Sequence, residues 1–292
     1  MKRGIVCTVA LAAVSGPAVA QDDAIRIQST EVVPGLYVLE GADGQFAGGN
    51  MGLLVGDDGV VLIDDGLEPV GPALLDAIAN LTGDPVDYLI NTHVHGDHVG
   101  SNAAMHQAGA TIVAHDNIRS RMASDSENPV PVTALPEITF NDSVTLHLNG
   151  MRLHVMHVAS AHTDGDGIIL FPDINVIHTG DVMFNGLFPF IDMDAGGSVE
   201  GYLAAQDRVI GLADDETIII PGHGPLANKT DLQRTRNMIA DCYARVRSLV
   251  AAGKSEEDIV AANPLADYHD DWNWDFITTE RMTRSMVRAA MR

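Results

Sequence analysis

Thr92–Gly100 reads THVHGDHVG, and His93, His95, Asp97 and His98 within it all carry side chains that bind metal ions. Just upstream, Val86–Asn91 (VDYLIN) is rich in strand-forming residues, so the motif hangs from the end of a predicted strand. A helix would place His93 and His95 on different faces, whereas at an extended strand end residues two apart point the same way. Gly96 lets the chain turn tightly, and the four side chains can then converge on one small volume. Imidazole together with carboxylate is the ligand set of zinc, and of non-haem iron or manganese.

Three later segments repeat the arrangement of strand end, glycine and ligand. His162 lies in AHTDGD after the predicted strand Arg152–Val158, and Asp181 lies in HTGD at the end of Asn175–His178. His223 lies in PGHG directly after Thr217–Ile220. Four strand ends can therefore deliver their side chains to one rim. Around them the chain alternates strand-rich blocks with helices. Leu36–Glu40, Gly52–Val55 and Val60–Ile63 lead to a helix at Leu74–Leu81. A hairpin of Val144–Leu148 and Arg152–Val158, turning at Asn149-Gly150, opens a second block that ends in helices at Gly201–Leu212 and about Asn228–Ala252. Two such blocks predict two sheets face to face with helices outside.

The order HxHxDH at His93–His98, then His162, Asp181 and His223, resembles the metallo-β-lactamase superfamily from about Val33 to Leu226. The resemblance implies an α/β fold, the four-layer αβ/βα sandwich, with a one- or two-metal site at the edge of its sheets. It implies that His93, His95 and His162 bind a first metal and that Asp97, His98 and His223 bind a second. Asp181 would reach or bridge both. The cofactor to expect is Zn2+, two ions, with Fe or Mn as alternatives. Paired cations acidify a held water, so hydroxide is available at neutral pH to attack a carbonyl whose oxygen a cation polarises. Asp97 is placed to orient that nucleophile as well as to ligate, which makes it the candidate catalytic residue. No Ser or Cys nucleophile is needed.

Departures from the better-known branches narrow the reading. One β-lactamase branch has cysteine in place of Asp181 and a lysine three residues on, where this chain has Phe184. Glyoxalase II would follow the aspartate with Gly-Cys-Gly-Arg, where this chain reads VMFNGLFPF over Val182–Phe190. The first expectation is a β-lactamase or β-lactamase-like hydrolase. A lactonase or esterase comes second, and an iron-dependent enzyme like the persulfide dioxygenases third. The partner is a small cyclic amide or ester. Candidate substrate contacts are Phe46 on a hairpin over the site, Phe184 and Phe188 in the apolar stretch, and Asn185 as a donor to a carbonyl. His178 is a candidate support for Asp181, Trp272 and Trp274 are expected to dock the C-terminal helices, and Cys242 is expected to pack on the long helix.

Charge sets the exclusions. Against 40 Asp+Glu there are 17 Lys+Arg, a formal charge of −23, and a chain so poor in cations has little with which to neutralise phosphates, so nucleic acid is not the partner. Lys2 and Arg3, the apolar run Ile5–Val14 and Ala18-Val19-Ala20 form the pattern of a secretory signal peptide, residues 1–20. Its cleavage would remove two basic residues and no acidic one, deepening the charge to −25, and would leave Cys242 as the sole thiol. The expectation is a periplasmic or secreted protein, a single domain over 21–292 with a C-terminal helical extension. No other segment approaches the length of a membrane span.

Overall fold

The computed structural model describes residues 25–292, so the candidate signal segment lies outside the described residues. The first sheet grows from β1 (Ile27–Val33), β2 (Leu36–Gly41), β3 (Met51–Gly56) and β4 (Gly59–Ile63), an antiparallel meander. After helix α1 (Gly71–Thr82), β5 (Tyr88–Ile90) lies parallel to β4. Short helices α2 (Gly96–Val99) and α3 (Asn102–Gln107) then lead to β6 (Thr111–His115), and α4 (Asp116–Ser124) leads to β7 (Ile138–Phe140). Both strands are again parallel to their neighbours, because a helical crossover returns the chain in the same direction. The second sheet is the meander β8 (Ser143–Leu148), β9 (Met151–His157), β10 (Gly167–Phe171) and β11 (Val176–Phe184). Helix α5 (Val199–Leu212) crosses over to β12 (Ile218–His223), which pairs parallel with β11 at the edge.

The two sheets stack through one apolar layer. Val61 and Ile63 of β4 point into it with Ile90 and Val113, and meet Val155, Ile169, Phe171 and Ile220 of the second sheet. The alternate residues Val60 and Leu62 face the other way, onto Leu74 and Ile78 of α1 and Met105 of α3. On the far side, Ala205 and Val209 of α5 cover Ile168, Ile177 and Ile219. Helix, sheet, sheet, helix is the four-layer αβ/βα sandwich. Strands buried on both faces need apolar side chains at every position, which is why β4 reads GVVLI without alternation.

Four helices follow: α6 (Lys229–Ala251), α7 (Glu256–Ala262), α8 (His269–Trp272) and α9 (Thr279–Ala290). Asn228 caps α6 in a reciprocal box with Asp231. Met238, Ile239, Cys242 and Val246 of α6 pack on Met282, Met286 and Val287 of α9, so the Cys242 thiol is a buried packing group. Among the described residues no helix is long and apolar enough to cross a membrane.

Two differences from the sequence reading have local causes. Strand β11 continues through Asp181 to Phe184, with every residue buried, where the sequence suggests an end at His178. Gly180, at φ +49°, and a register shift on each side of it carry the strand through a bulge that re-aims Asp181. Strands β1 and β7 carry weak signals, since β1 is mostly exposed and polar and β7 has only 3 residues.

Ile169 is fully buried between the sheets. Ile169→Ala is expected to lower unfolding free energy by about 2–5 kcal/mol with an unchanged m-value, measured by urea titration.

Candidate metal centre

All seven ligand candidates meet at one edge of the sandwich. His93 lies in the bend after β5 and His95 just before α2, and the chain does not stay extended beyond it: Asp97 and His98 sit in the single helical turn α2. His162 is in the loop after β9, Asp181 in the bulge of β11, and His223 is the last residue of β12. Two groups result, His93, His95, His162 and Asp181 in one, Asp97, His98 and His223 in the other, with ligand atoms within 4.8 Å of each other in each group.

Asp181 divides its carboxylate between them. Its Oδ2 lies 3.6 Å from His93 Nε2 and 3.4 Å from His162 Nε2. Its Oδ1 lies 3.2 Å from His98 Nε2 and 3.5 Å from His223 Nε2. Asp97 Oδ2 is 3.3 Å from His223 Nε2, and His95 Nδ1 is 2.8 Å from His162 Nε2.

The outward nitrogens of four histidines are held by hydrogen bonds, which fixes which nitrogen faces in. His162 Nδ1 donates to the Phe190 carbonyl at 2.7 Å, and His95 Nε2 lies 3.0 Å from Asp192 Oδ2. His98 Nδ1 lies 2.7 Å from Asp64 Oδ2. His93 Nδ1 reaches Thr92 Oγ1 at 3.0 Å, and that hydroxyl donates to the same Asp64 oxygen at 2.7 Å. Each ring thus turns its other nitrogen to the centre, the arrangement that orients imidazoles on a cation.

The inward atoms fit divalent metals. His93 Nε2 and Asp181 Oδ1 are buried without a hydrogen-bond partner, a costly state that a cation relieves. The cradle is also tight. A Cβ on Gly49 would stand 2.1 Å from His98 Cε1, and one on Gly222 would stand 2.0 Å from Asp181 Oδ1. Burial pushes His93 down and His162 down to about 3, so both rings are neutral and ready to ligate. Burial alone would raise Asp181, but the surrounding imidazoles, His223 first, hold it well below the usual carboxylate range. Burial also works against the charged form of His223, yet Asp181 and Asp97 reverse this and push it up to about 9. A cation taken up by the second group therefore displaces a proton from that ring.

The bulge is fixed from behind. Tyr202 Oη donates to the Asp181 carbonyl and Gln206 to the Val182 carbonyl, each at 2.9 Å, from α5. His178 holds the turn rather than the carboxylate: its Nδ1 accepts from the Gly180 amide at 3.2 Å and its Nε2 donates to the Asn50 carbonyl at 3.2 Å.

A cavity of 1380 Å³ opens over the ligands, and Phe46 and Phe184 line it. Phe46 is 57% exposed at its mouth, and Phe184 stacks on His223 with centroids 4.8 Å apart. Two other candidates are corrected. The Asn185 amide donates to the Pro225 and Leu226 carbonyls and is absent from the cavity wall, because it ties the end of β11 to the loop after β12. Phe188 is fully buried in the C-terminal cluster. Instead Phe190, Trp274 and Phe276 reach the wall. The sequence reading does not single out Asp64, Thr92 or Asp192. Asp64 did carry a signal, since Asp64-Asp65-Gly66 is another strand end with a glycine; Asp192 carried none.

A bent five-histidine, two-aspartate site on the edge of an αβ/βα sandwich defines a class of metal-dependent hydrolases. The sequence profile of the metallo-beta-lactamase superfamily matches residues 44–223, and the chain belongs to that superfamily, whose members bind divalent metals, typically zinc. The chain is 22% identical over 175 residues to a metallo-beta-lactamase type 2 of Bacteroides fragilis, covering 59% of this chain and 68% of that one. It is 28% identical over 155 residues to a hydroxyacylglutathione hydrolase of Polaromonas sp., covering 52% of this chain and about half, 54%, of the relative's length. The inverting sec-alkylsulfatase Pisa1 of Pseudomonas sp. shares the fold at a TM-score of 0.65 and 19% identity, over 90% of this chain and 50% of that one. The C-terminal helices lie beyond the profile match.

Asp64→Ala should weaken metal binding about 10–100-fold, because two ligand rings lose their anchor. Competition with a chromogenic chelator measures it. Gly222→Ala should do the same through its clash with Asp181, with circular dichroism unchanged.

Proposed function

We propose that the chain is an exported, zinc-dependent hydrolase of a small cyclic amide or ester, with the opening of a β-lactam ring as its first candidate reaction. The observation that carries this reading is the division of the Asp181 carboxylate, one oxygen to each ligand group, at the floor of an open cavity. Two bound divalent ions would supply Lewis acidity and an acidified water there. The chain's own contribution is positional. Imidazoles with anchored outer nitrogens keep the ligand atoms in place without reorganisation. Asp97, His95, Asp181 and His223 reach the cavity wall, so an acyl group entering it meets the ligand cluster directly. Asp97 retains 24% side-chain exposure, and its carboxylate can orient a nucleophile or hold its proton.

Support for the β-lactam comes from the ligand order and from the Bacteroides fragilis relative, whose name states that activity. A second reading, lactone or simple ester hydrolysis, is favoured by Phe184, which puts a phenyl ring where a cation would hold a carboxylate. Export rests on the basic, apolar and Ala-Val-Ala pattern of residues 1–20.

Zinc-loaded protein is expected to bind about two ions and to hydrolyse a chromogenic β-lactam, a p-nitrophenyl ester or an aryl lactone, with activity lost on chelation. Failure on all three substrate types would sink the hydrolase reading. Asp97→Ala should lower kcat by about 10²-fold or more with the fold intact. For export, N-terminal sequencing of protein from the periplasmic fraction should begin at Gln21.

A further inference from the structure

The cavity over the ligand cluster is walled by aromatic rings and acidic side chains, and its aromatic wall is completed from outside the family-matched region. On one side Phe46 and Phe184 stack on His223 at 6.3 and 4.8 Å. Trp274 closes on the same imidazole at 6.4 Å and on Phe184 at 6.3 Å. On the other side Phe190 lies 5.7 Å from His95 and 5.7 Å from Phe276, which in turn lies 5.5 Å from Trp274. The segment carrying Trp274 and Phe276 is pinned to the chain after β11. Trp274 Nε1 donates to the Phe188 carbonyl at 2.9 Å, and the Phe188 amide donates to the Trp272 carbonyl at 2.8 Å.

The charges of the wall are one-sided. Glu68, Asp125 and Asp275 line the cavity apart from the ligand carboxylates, whose charge bound cations would offset, and Asp192, which is tied to His95. Among the described residues Arg121 is the one Arg or Lys on the wall, and its Nε and Nη2 both donate to Asp164 at 2.7 Å. Arg281 lies off the wall; its guanidinium stacks 4.2 Å over Phe276 and donates to the Phe276 carbonyl at 2.7 Å. A carboxylate carried away from the reacting carbonyl would therefore face acidic groups on the wall itself, with the Arg281 guanidinium off the wall against the Phe190 and Phe276 rings. A flat apolar group would face rings on two sides.

We propose that Trp274 and Phe276 of the C-terminal extension, with Phe46 and Phe190, form an aromatic clamp that selects an uncharged ester, lactone or amide bearing an aryl or bulky apolar group. The proposal rests on the hydrolase reading for the word substrate, but the clamp's selectivity can be measured without turnover. It also orders the two candidate reactions, since a β-lactam drug carries a carboxylate and a neutral aryl ester or lactone does not.

The test compares two unreactive probes with one ring system, neutral 2-methoxynaphthalene and anionic 6-methoxynaphthalene-2-sulfonate, whose sulfonate is a poor zinc ligand, titrated against zinc-loaded full-length protein at low ionic strength. The neutral probe should bind at least tenfold more tightly, and the ratio should shrink as salt screens the acidic wall. Phe276→Ala, at a half-exposed position that tolerates truncation, and Trp274→Ala should each weaken the neutral probe fivefold or more. Glu68→Gln combined with Asp275→Asn should bring the ratio below threefold. Tighter or equal binding of the sulfonate would overturn the proposal, as would unchanged neutral-probe affinity in Phe276→Ala with zinc content and circular dichroism preserved. Probe selectivity without turnover of any ester or amide would leave the clamp standing and remove the hydrolase reading. Turnover without selectivity would do the reverse.

Discussion

Asp64 is the residue on which the site depends. Its carboxylate is fully buried and accepts from the Thr92 amide, the Thr92 hydroxyl and the His98 ring, while the Thr92 hydroxyl also receives His93. A buried carboxylate without partners would cost several kcal/mol; with these three donors it becomes the anchor that sets two ligand rings from two different groups. The backbone at Asp64 is left-handed, at φ +58°, a conformation aspartate tolerates better than most residues. That turn points the side chain from the end of β4 across to the start of the ligand motif. The strain is small and local, and it is held by the Asp64 amide bonding to the Ile90 carbonyl.

The rest of the centre repeats this logic with different materials. A carbonyl orients His162, a carboxylate orients His95, and a tyrosine and a glutamine from α5 hold the bulge that aims Asp181. The inner atoms converge on one volume, and among them His93 Nε2 and Asp181 Oδ1 are satisfied by no hydrogen bond. Glycines at positions 49 and 222 let backbone come within contact distance of His98 and Asp181. A side chain at either place would push a ligand out of line.

Much of this was legible in the sequence because ligands at strand ends are local patterns. HxHxDH, and a glycine-flanked His or Asp after each later strand, can be seen without tertiary information, and two blocks of strands capped by helices already imply the layered sandwich. What was illegible was long-range. Asp192 reaches His95 from 97 residues away, and no spacing rule connects them. Trp272 and Trp274 read as residues for docking helices, and Trp272 does pack in that way; only the pairing of Phe188 with the 272–274 segment turns Trp274 toward the metal centre, and Phe276 carried no signal. Asn185 and Phe188 misled for the same reason. Proximity in sequence to Asp181 does not say which way a side chain points once the strand has passed through a bulge.

The family match ends at His223, the last ligand, whereas the wall that faces a substrate is finished by a loop between two helices much further along the chain. The ligands and the Phe46, Phe184 and Phe190 rings of the wall therefore lie in the matched stretch, while Trp274 and Phe276 are added from a later one. Changes in the later stretch can alter the diet of the enzyme while every ligand, anchor and glycine of the centre stays as it is. A fold divided in this way can diversify by drift at its end and keep its chemistry throughout.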